Sequence, residues 1–240
     1  RRSQEKAVEV FAPKKAIITD SLSEDWTLKE INFKPYNERS GRVLYPHQED
    51  AVKFLTTKKK AILADVMGFG KTTSAIVSAL EDNYKHVLII SPASVKTTWK
   101  KELIQYVPED DITIVEGSNW KENRFTIINY DILKNFYEVP TETVKQTSLE
   151  LGEDGKVKRV TKEKEKISRK KDVIEEAMEN SQLYQSNFDL IIIDEAHRLS
   201  NTTSGIFKIV SDLVKRSNPV GIYAITGTPI TNRPINFFNM

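Results

Sequence analysis

Apolar residues along this chain fall in short closed runs. Ala61–Ala64, Val87–Ile90, Ile112–Val115, Phe125–Ile128, Leu190–Ile193 and Ile222–Ile225 are each four residues long. A run with little or no polar alternation predicts a strand covered on both faces. Between the runs the spacing becomes helical: Ala51, Val52, Phe54 and Leu55; Thr73–Leu80; Val95, Trp99, Leu103 and Tyr106; Ile206–Val214. Strands alternating with helices predict βαβ units and an α/β fold with a mainly parallel sheet. Ligands on such sheets bind at the carboxyl ends of strands, so the informative residues are expected just after each run.

Two parts break the alternation. Arg1–Gly41 has no sustained period; Ala16–Thr19 is a short strand candidate, Trp26–Phe33 alternates loosely, and residues 1–41 read as an N-terminal extension. From about Glu138 to Asn187 the chain is polar and Thr-rich, passes Gly152–Gly155, and carries a Lys/Glu run over Lys156–Asp172. An amphipathic helix is expected over Val173–Tyr184. This charged insertion reads as a solvated hairpin, helix or loop. A basic arm touching nucleic-acid phosphates is the alternative, weakened by the acids interspersed with the lysines.

Composition narrows the class. Of 240 residues, 39% are hydrophobic and 29% charged, enough for the core of one large domain or two small ones. The chain has no Cys, so it holds no disulfide and no thiolate zinc site, which fits an intracellular protein. No run approaches the roughly 20 residues of a membrane span, and no membrane partner is expected. A net charge of +2 does not by itself argue for nucleic acid, although clustered lysines allow a local basic surface. The chain begins at Arg1 and stops at Met240 within an apolar run, as a piece of a longer protein would.

The chemistry sits where the strands end. Asp65–Thr72 reads DVMGFGKT directly after Ala61–Ala64 and before a helical stretch. A strand, a glycine turn closing in Gly-Lys-Thr and a helix form a phosphate-binding loop. Its backbone N–H groups face phosphate oxygens at a helix N-terminus. Gly68 and Gly70 let the backbone approach the ligand, Lys71 reaches the terminal phosphates, and the Thr72 hydroxyl holds Mg²⁺. Asp65 occupies the first glycine position of the general pattern. Asp194–His197 reads DEAH after Leu190–Ile193. Two carboxylates at a strand end facing a phosphate loop make a hydrolytic pair, with Asp194 in the metal shell and Glu195 orienting the attacking water. Two adjacent buried acids are costly without a cation. Gln48, just after Pro46, has an amide able to read the adenine edge, and equally reads as a surface residue in a helix's first turn. The spacing of Trp99 with Val95 and Leu103 predicts core packing, with base stacking as the alternative.

LYPHQ (Leu44–Gln48), DVMGFGKT, SPASVKTTW (Ser91–Trp99), INYD (Ile128–Asp131), DEAH and TGTPITN (Thr226–Asn232) occur in the order found in superfamily-two helicases. From about Leu44 to Met240 the set most resembles the Swi/Snf-type ATPases, including their annealing-helicase subgroup. That family's loop usually reads DEMGLGKT, so Asp65 is ordinary there. Val66 replaces its Glu, Phe69 its Leu, and Asn236 stands where an acid is common. The resemblance implies that residues 42–240 form a first RecA-like P-loop NTPase lobe, with helices on both faces of its sheet. It also implies ATP and Mg²⁺ as cofactors, DNA-dependent ATP hydrolysis, and translocation along DNA, chiefly duplex.

By position, Gln48 matches the adenine reader, and Gly68, Phe69, Gly70, Lys71, Thr72 and Thr73 the nucleotide loop. Lys71, Asp194 and Glu195 match the catalytic residues, with Thr72 and Asp194 as metal ligands. Ser91, Pro92, Ser94, Asn129 and Tyr130 match segments lying along the nucleic-acid backbone. Thr226, Gly227 and Thr228 match the segment coupling ATP state to DNA contact, with His197 joining it to the hydrolytic pair. Nothing here matches the second RecA-like lobe, which supplies the arginine finger in that family. Such fingers contribute roughly 10³–10⁵ in rate, so this piece is expected to bind ATP weakly and barely hydrolyse it. Two rival readings are a strand-separating or RNA helicase and a non-catalytic nucleic-acid-binding scaffold lobe. TGTP, where RNA helicases typically carry Ser-Ala-Thr, weighs against an RNA helicase, and the intact Lys71, Thr72, Asp194 and Glu195 against the scaffold.

Overall fold

The computed structural model describes residues 27–136, 141–151, 157–167 and 181–227. Six strands make one sheet: β1 (Lys60–Ala64), β2 (Val87–Ser91), β3 (Ile112–Ile114), β4 (Phe125–Asn129), β7 (Leu190–Asp194) and β8 (Gly221–Thr226). Their order is β1-β8-β7-β2-β4-β3, and every neighbouring pair is parallel. β5 (Thr141–Leu151) and β6 (Val157–Ile167) form a separate antiparallel ribbon.

Successive residues of each strand point to opposite faces, and here each face meets its own core. Val87 and Ile89 of β2, Phe125 and Ile127 of β4, and Leu190 and Ile192 of β7 pack beneath α2 (Pro46–Lys58), α3 (Lys71–Glu81) and α4 (Lys96–Leu103). Leu88 and Ile90, Ile128, and Ile191 and Ile193 pack on the other side with α5 (Tyr130–Leu133), α6 (Gln182–Gln185) and α7 (Gly205–Ser217). A strand covered twice cannot alternate, which is why these runs read as unbroken apolar tetrads. Burying each such side chain contributes about 1.5–3 kcal/mol, so a polar residue in the middle of β2 or β7 would cost the fold heavily. The architecture is the expected α/β one, with helices on both faces of a parallel sheet.

Residues 27–41 do not stand apart from this body. Phe33, just before α1 (Lys34–Ser40), lies in the first core. The Tyr36 hydroxyl donates to Glu81 at 2.7 Å, and the Arg39 guanidinium donates to the Tyr106 carbonyl at 3.0 Å. The expected division between residues 41 and 42 therefore crosses a packed contact. A polar helix of seven residues leaves no apolar period to read. Ala16–Thr19 lies outside the described residues, and residues 27–33 form no strand.

The insertion is a hairpin over its described part, pairing Thr141 with Ile167 through to Leu151 with Val157. By register, Lys162 stands opposite Gln146 and Glu163 opposite Lys145, the two pairs on opposite faces of the ribbon. Glu163 meets Lys145 across the strands at 3.8 Å. Of the helix expected over 173–184, residues 173–180 lie outside the described set, and α6 covers Gln182–Gln185. Among the described residues no helix is long and apolar enough to cross a membrane.

Candidate nucleotide and hydrolytic site

Parallel register brings the strand ends to one edge. Ala64 pairs with Thr226, Asp194 with Ile225, Ile193 with Ile90, and Ser91 with Asn129. The loop after β1, the acids ending β7, and the ends of β2, β4 and β8 therefore lie side by side.

The phosphate loop turns through two left-handed glycines, Gly68 (φ 84°) and Gly70 (φ 71°). Gly70 caps α3, whose first two residues are Lys71 and Thr72. The Lys71 ammonium donates to the carbonyls of Asp65 and Val66, both at 2.7 Å, and so spans the base of the loop. Gln48 is buried against Gly70, and its Oε1 accepts from the Tyr45 backbone N–H at 2.9 Å. This contact joins LYPHQ to the loop. His47, not foreseen from the sequence, takes part as well. Its ring packs on Phe69 at 4.9 Å and stacks on Tyr45 at 5.6 Å, and its Nε2 donates to the Phe69 carbonyl at 3.1 Å.

Lys71, Thr72, Asp194 and Glu195 line one cavity of about 370 Å³, together with Gly68, Gly70 and Trp99. Asp194 Oδ2 accepts from the Trp99 indole N–H at 2.8 Å, and Oδ1 from the Glu195 backbone N–H at 3.0 Å. Burial, and next the negative charge of Glu195, hold the Asp194 carboxyl above the usual carboxylate range, against the opposing pull of the Trp99 hydrogen bond and of Lys71. Glu195 adopts a left-handed backbone (φ 54°, ψ 48°) at the strand end. For a residue with a Cβ this costs of order 1–3 kcal/mol and turns the chain sharply after Asp194.

Contacts from His197 and Tyr130 tie this pair to its surroundings. His197 Nδ1 lies 3.1 Å from Glu195 Oε2 and 3.2 Å from Thr226 Oγ1. A carboxylate only accepts, so the Nδ1–H points at Glu195 and shares itself with Thr226 across β7 and β8. The Tyr130 hydroxyl donates to the Asp194 carbonyl at 2.6 Å. The Arg198 guanidinium lies 5.4 Å from the Tyr130 ring.

The residues matched to nucleic-acid contact divide. Ser94 is exposed and Pro92 half-buried. Ser91, Asn129 and Tyr130 are 0%, 5% and 1% exposed. Their side chains are covered within the lobe, and the Tyr130 hydroxyl holds the Asp194 carbonyl. Trp99 is core as expected, at 1% exposed, and has the further role of donor to Asp194. No local pattern marks either role, because the partners lie 95 and 64 positions away. Gly227 backs onto the phosphate loop, where a Cβ would stand 3.0 Å from Met67 Cγ. Thr228 lies outside the described residues.

Comparison with known proteins agrees with this geometry. The SNF2-related domain model matches residues 47–240. The SWI/SNF-related matrix-associated actin-dependent regulator of chromatin subfamily A-like protein 1 of Xenopus laevis is 26% identical over 238 residues, covering 96% of this chain and 20% of that protein. The ISWI chromatin-remodeling complex ATPase ISW1 of Saccharomyces cerevisiae is 28% identical over 212 residues, 85% of this chain and 16% of that one. The DNA annealing helicase and endonuclease ZRANB3 of Mus musculus is 26% identical over 227 residues, 90% of this chain and 16% of that one. The chain thus spans a fifth or less of the length of these relatives. In fold it resembles the Sulfolobus solfataricus SWI2/SNF2 ATPase core in complex with dsDNA, with a TM-score of 0.55 and 22% identity over 82% of this chain and 34% of that one. The family match covers most of the sequence and every strand-end residue described above, and this chain belongs to the SNF2-related domain family.

Proposed function

We propose that this chain is the ATP-binding lobe of a DNA-dependent ATPase that uses hydrolysis to move along duplex DNA. The observation that carries the reading is the single cavity shared by Lys71, Thr72, Asp194 and Glu195. These residues fit ATP with Mg²⁺. A hard cation takes oxygen ligands, usually one or two carboxylates plus substrate phosphates. Thr72 offers a hydroxyl, and each Asp194 oxygen accepts one protein hydrogen bond while keeping lone-pair capacity. Bound there, Mg²⁺ neutralises charge on the phosphates.

The chain's own groups supply the rest. The α3 N-terminus and the Lys71 ammonium favour the negative phosphates. Lys71 exchanges its two carbonyl partners for phosphate oxygens as the nucleotide enters. Glu195 orients the attacking water, and Gln48 reads the adenine. His197 carries the state of Glu195 to Thr226 and so to the segment that follows. A second RecA-like lobe completes the site with an arginine finger, so this lobe by itself binds ATP and turns it over slowly.

The test has two arms. In a chain carrying both lobes, Glu195→Gln keeps ATP binding and abolishes turnover; wild-type turnover by that variant removes the assignment. ATPase stimulation by duplex DNA, single-stranded DNA and RNA, compared at fixed salt because phosphate contacts are salt-sensitive, is expected to be greatest with duplex. Preference for single strands or RNA replaces the duplex reading with a strand-directed one, and no response to any of them replaces it with a scaffold.

A further inference from the structure

Trp99 lies 95 positions from Asp194, in a helix that carries none of the hydrolytic groups, yet it supplies one of the two donors on that carboxylate. A buried indole N–H needs a partner, and a backbone carbonyl would serve. Here the partner is the acid whose neighbours in the cavity are Lys71 and Thr72, and the indole itself lines that cavity. The second donor, the Glu195 N–H, belongs to the left-handed turn after β7.

The terminal torsion of an aspartate is broad and roughly two-fold, so an unrestrained carboxylate samples many orientations. Donors arriving from two different elements, one on each oxygen, fix its plane. Each oxygen is left with its remaining lone-pair capacity for the cavity. A Phe or Leu at position 99 would fill the core and leave Oδ2 free to turn.

We propose that Trp99 is a positioning residue for divalent-cation binding: its indole N–H, anchored by the packing of α4, holds the Asp194 carboxylate in the orientation that receives the ion. The inference rests on the reading above, that nucleotide and a divalent cation meet in this cavity. Partners that orient a metal ligand typically contribute 10–100-fold to metal affinity.

The test removes the donor and keeps the shape. Position 99 is replaced by 3-benzothienylalanine, in which sulfur stands for the indole N–H, with Trp99→Phe as the ordinary variant. Mn²⁺ binding to the ADP complex is followed by electron paramagnetic resonance, beside metal-free ADP affinity and thermal unfolding. The expected result is Mn²⁺ affinity lowered about tenfold in the isosteric variant, toward the low end for such partners, with metal-free ADP affinity and melting temperature unchanged. Unchanged Mn²⁺ affinity in that folded variant overturns the proposal and leaves Trp99 a core residue. Failure of the wild-type ADP complex to bind Mn²⁺ overturns the reading of the cavity itself.

Discussion

Gln48 occupies the space that a side chain on residue 70 would need. A Cβ on Gly70 would overlap Nε2 of Gln48, whose Oε1 is held by the Tyr45 backbone N–H. The adenine-reading candidate and the phosphate loop are thus packed as one unit.

Gly70→Ala should therefore fail in two ways. The residue sits at φ 71°, a conformation costing an L-residue about 1–2 kcal/mol, and the Gln48 amide must move. Denaturant unfolding should show that loss, and nucleotide binding should lose its preference for ATP over GTP. Gly68→Ala is the control. Its φ is 84° but nothing lies within 4 Å of its Cβ, so strain appears and base preference stays. Equal base discrimination in both variants would separate Gln48 from adenine reading.

The Asp194 carboxyl predicts a stability effect that depends on pH. Burial and the Glu195 charge raise it above the ordinary 3.8. The folded chain then holds this proton more tightly than the unfolded chain does. Its contribution is present at low pH and is lost as pH rises through the window above 3.8. Asp194→Asn removes that loss. In Mg²⁺-free buffer the variant lacks one acceptor for the Trp99 and Glu195 N–H groups at every pH, so the gap between its melting temperature and that of wild type should move in the variant's favour as pH rises from 4 to 8. A gap independent of pH would refute the electrostatic account.

His197 and Thr226 should matter for coupling more than for binding. His197→Ala or Thr226→Val breaks the 3.2 Å link between the ends of β7 and β8. In a two-lobe chain ATP affinity should stay near wild type, while stimulation by duplex DNA weakens by about 0.5–2 kcal/mol, the usual scale for residues along a coupling route. Lost ATP binding with intact relative stimulation would contradict the link.

The β5–β6 hairpin should be dispensable for the nucleotide site. Its strands pair with each other, and among its described side chains none belongs to either core. Removing residues 141–167 should leave ATP affinity unchanged and shift the melting temperature by less than about 2 °C, the range of changes away from the core. A larger drop, measured by calorimetry, would show that the ribbon braces the lobe.

Local information reached far in this chain. The strands were legible because burial on both faces forces unbroken apolar runs, as in Leu190–Ile193 of β7. The phosphate loop was legible because Gly68, Gly70, Lys71 and Thr72 act through a turn and a helix start that are themselves local. Asp194 and Glu195 were legible because parallel strands must place their ends together. The family pattern linked these pieces, and the match over residues 47–240 agrees with it.

Tertiary structure alone decided what depends on partners far away in sequence. Helical spacing puts Trp99 in the core, but only the placement of α4 against β7 aims its N–H at Asp194. Tyr130 follows a strand end like any exposed loop residue, yet the packing of α5 buries it and gives its hydroxyl to the Asp194 carbonyl. The charge run of the insertion shows no partners in sequence, and only the register of β5 with β6 sets Lys145 opposite Glu163. The sequence by itself set which segments are strands, which turn is the candidate phosphate loop and which acids lie beside it, since these follow from residue type and spacing. Register and packing set which side chains touch, because a hydrogen bond needs its two atoms about 3 Å apart, and no short stretch of chain specifies that for residues 64 or 95 positions distant.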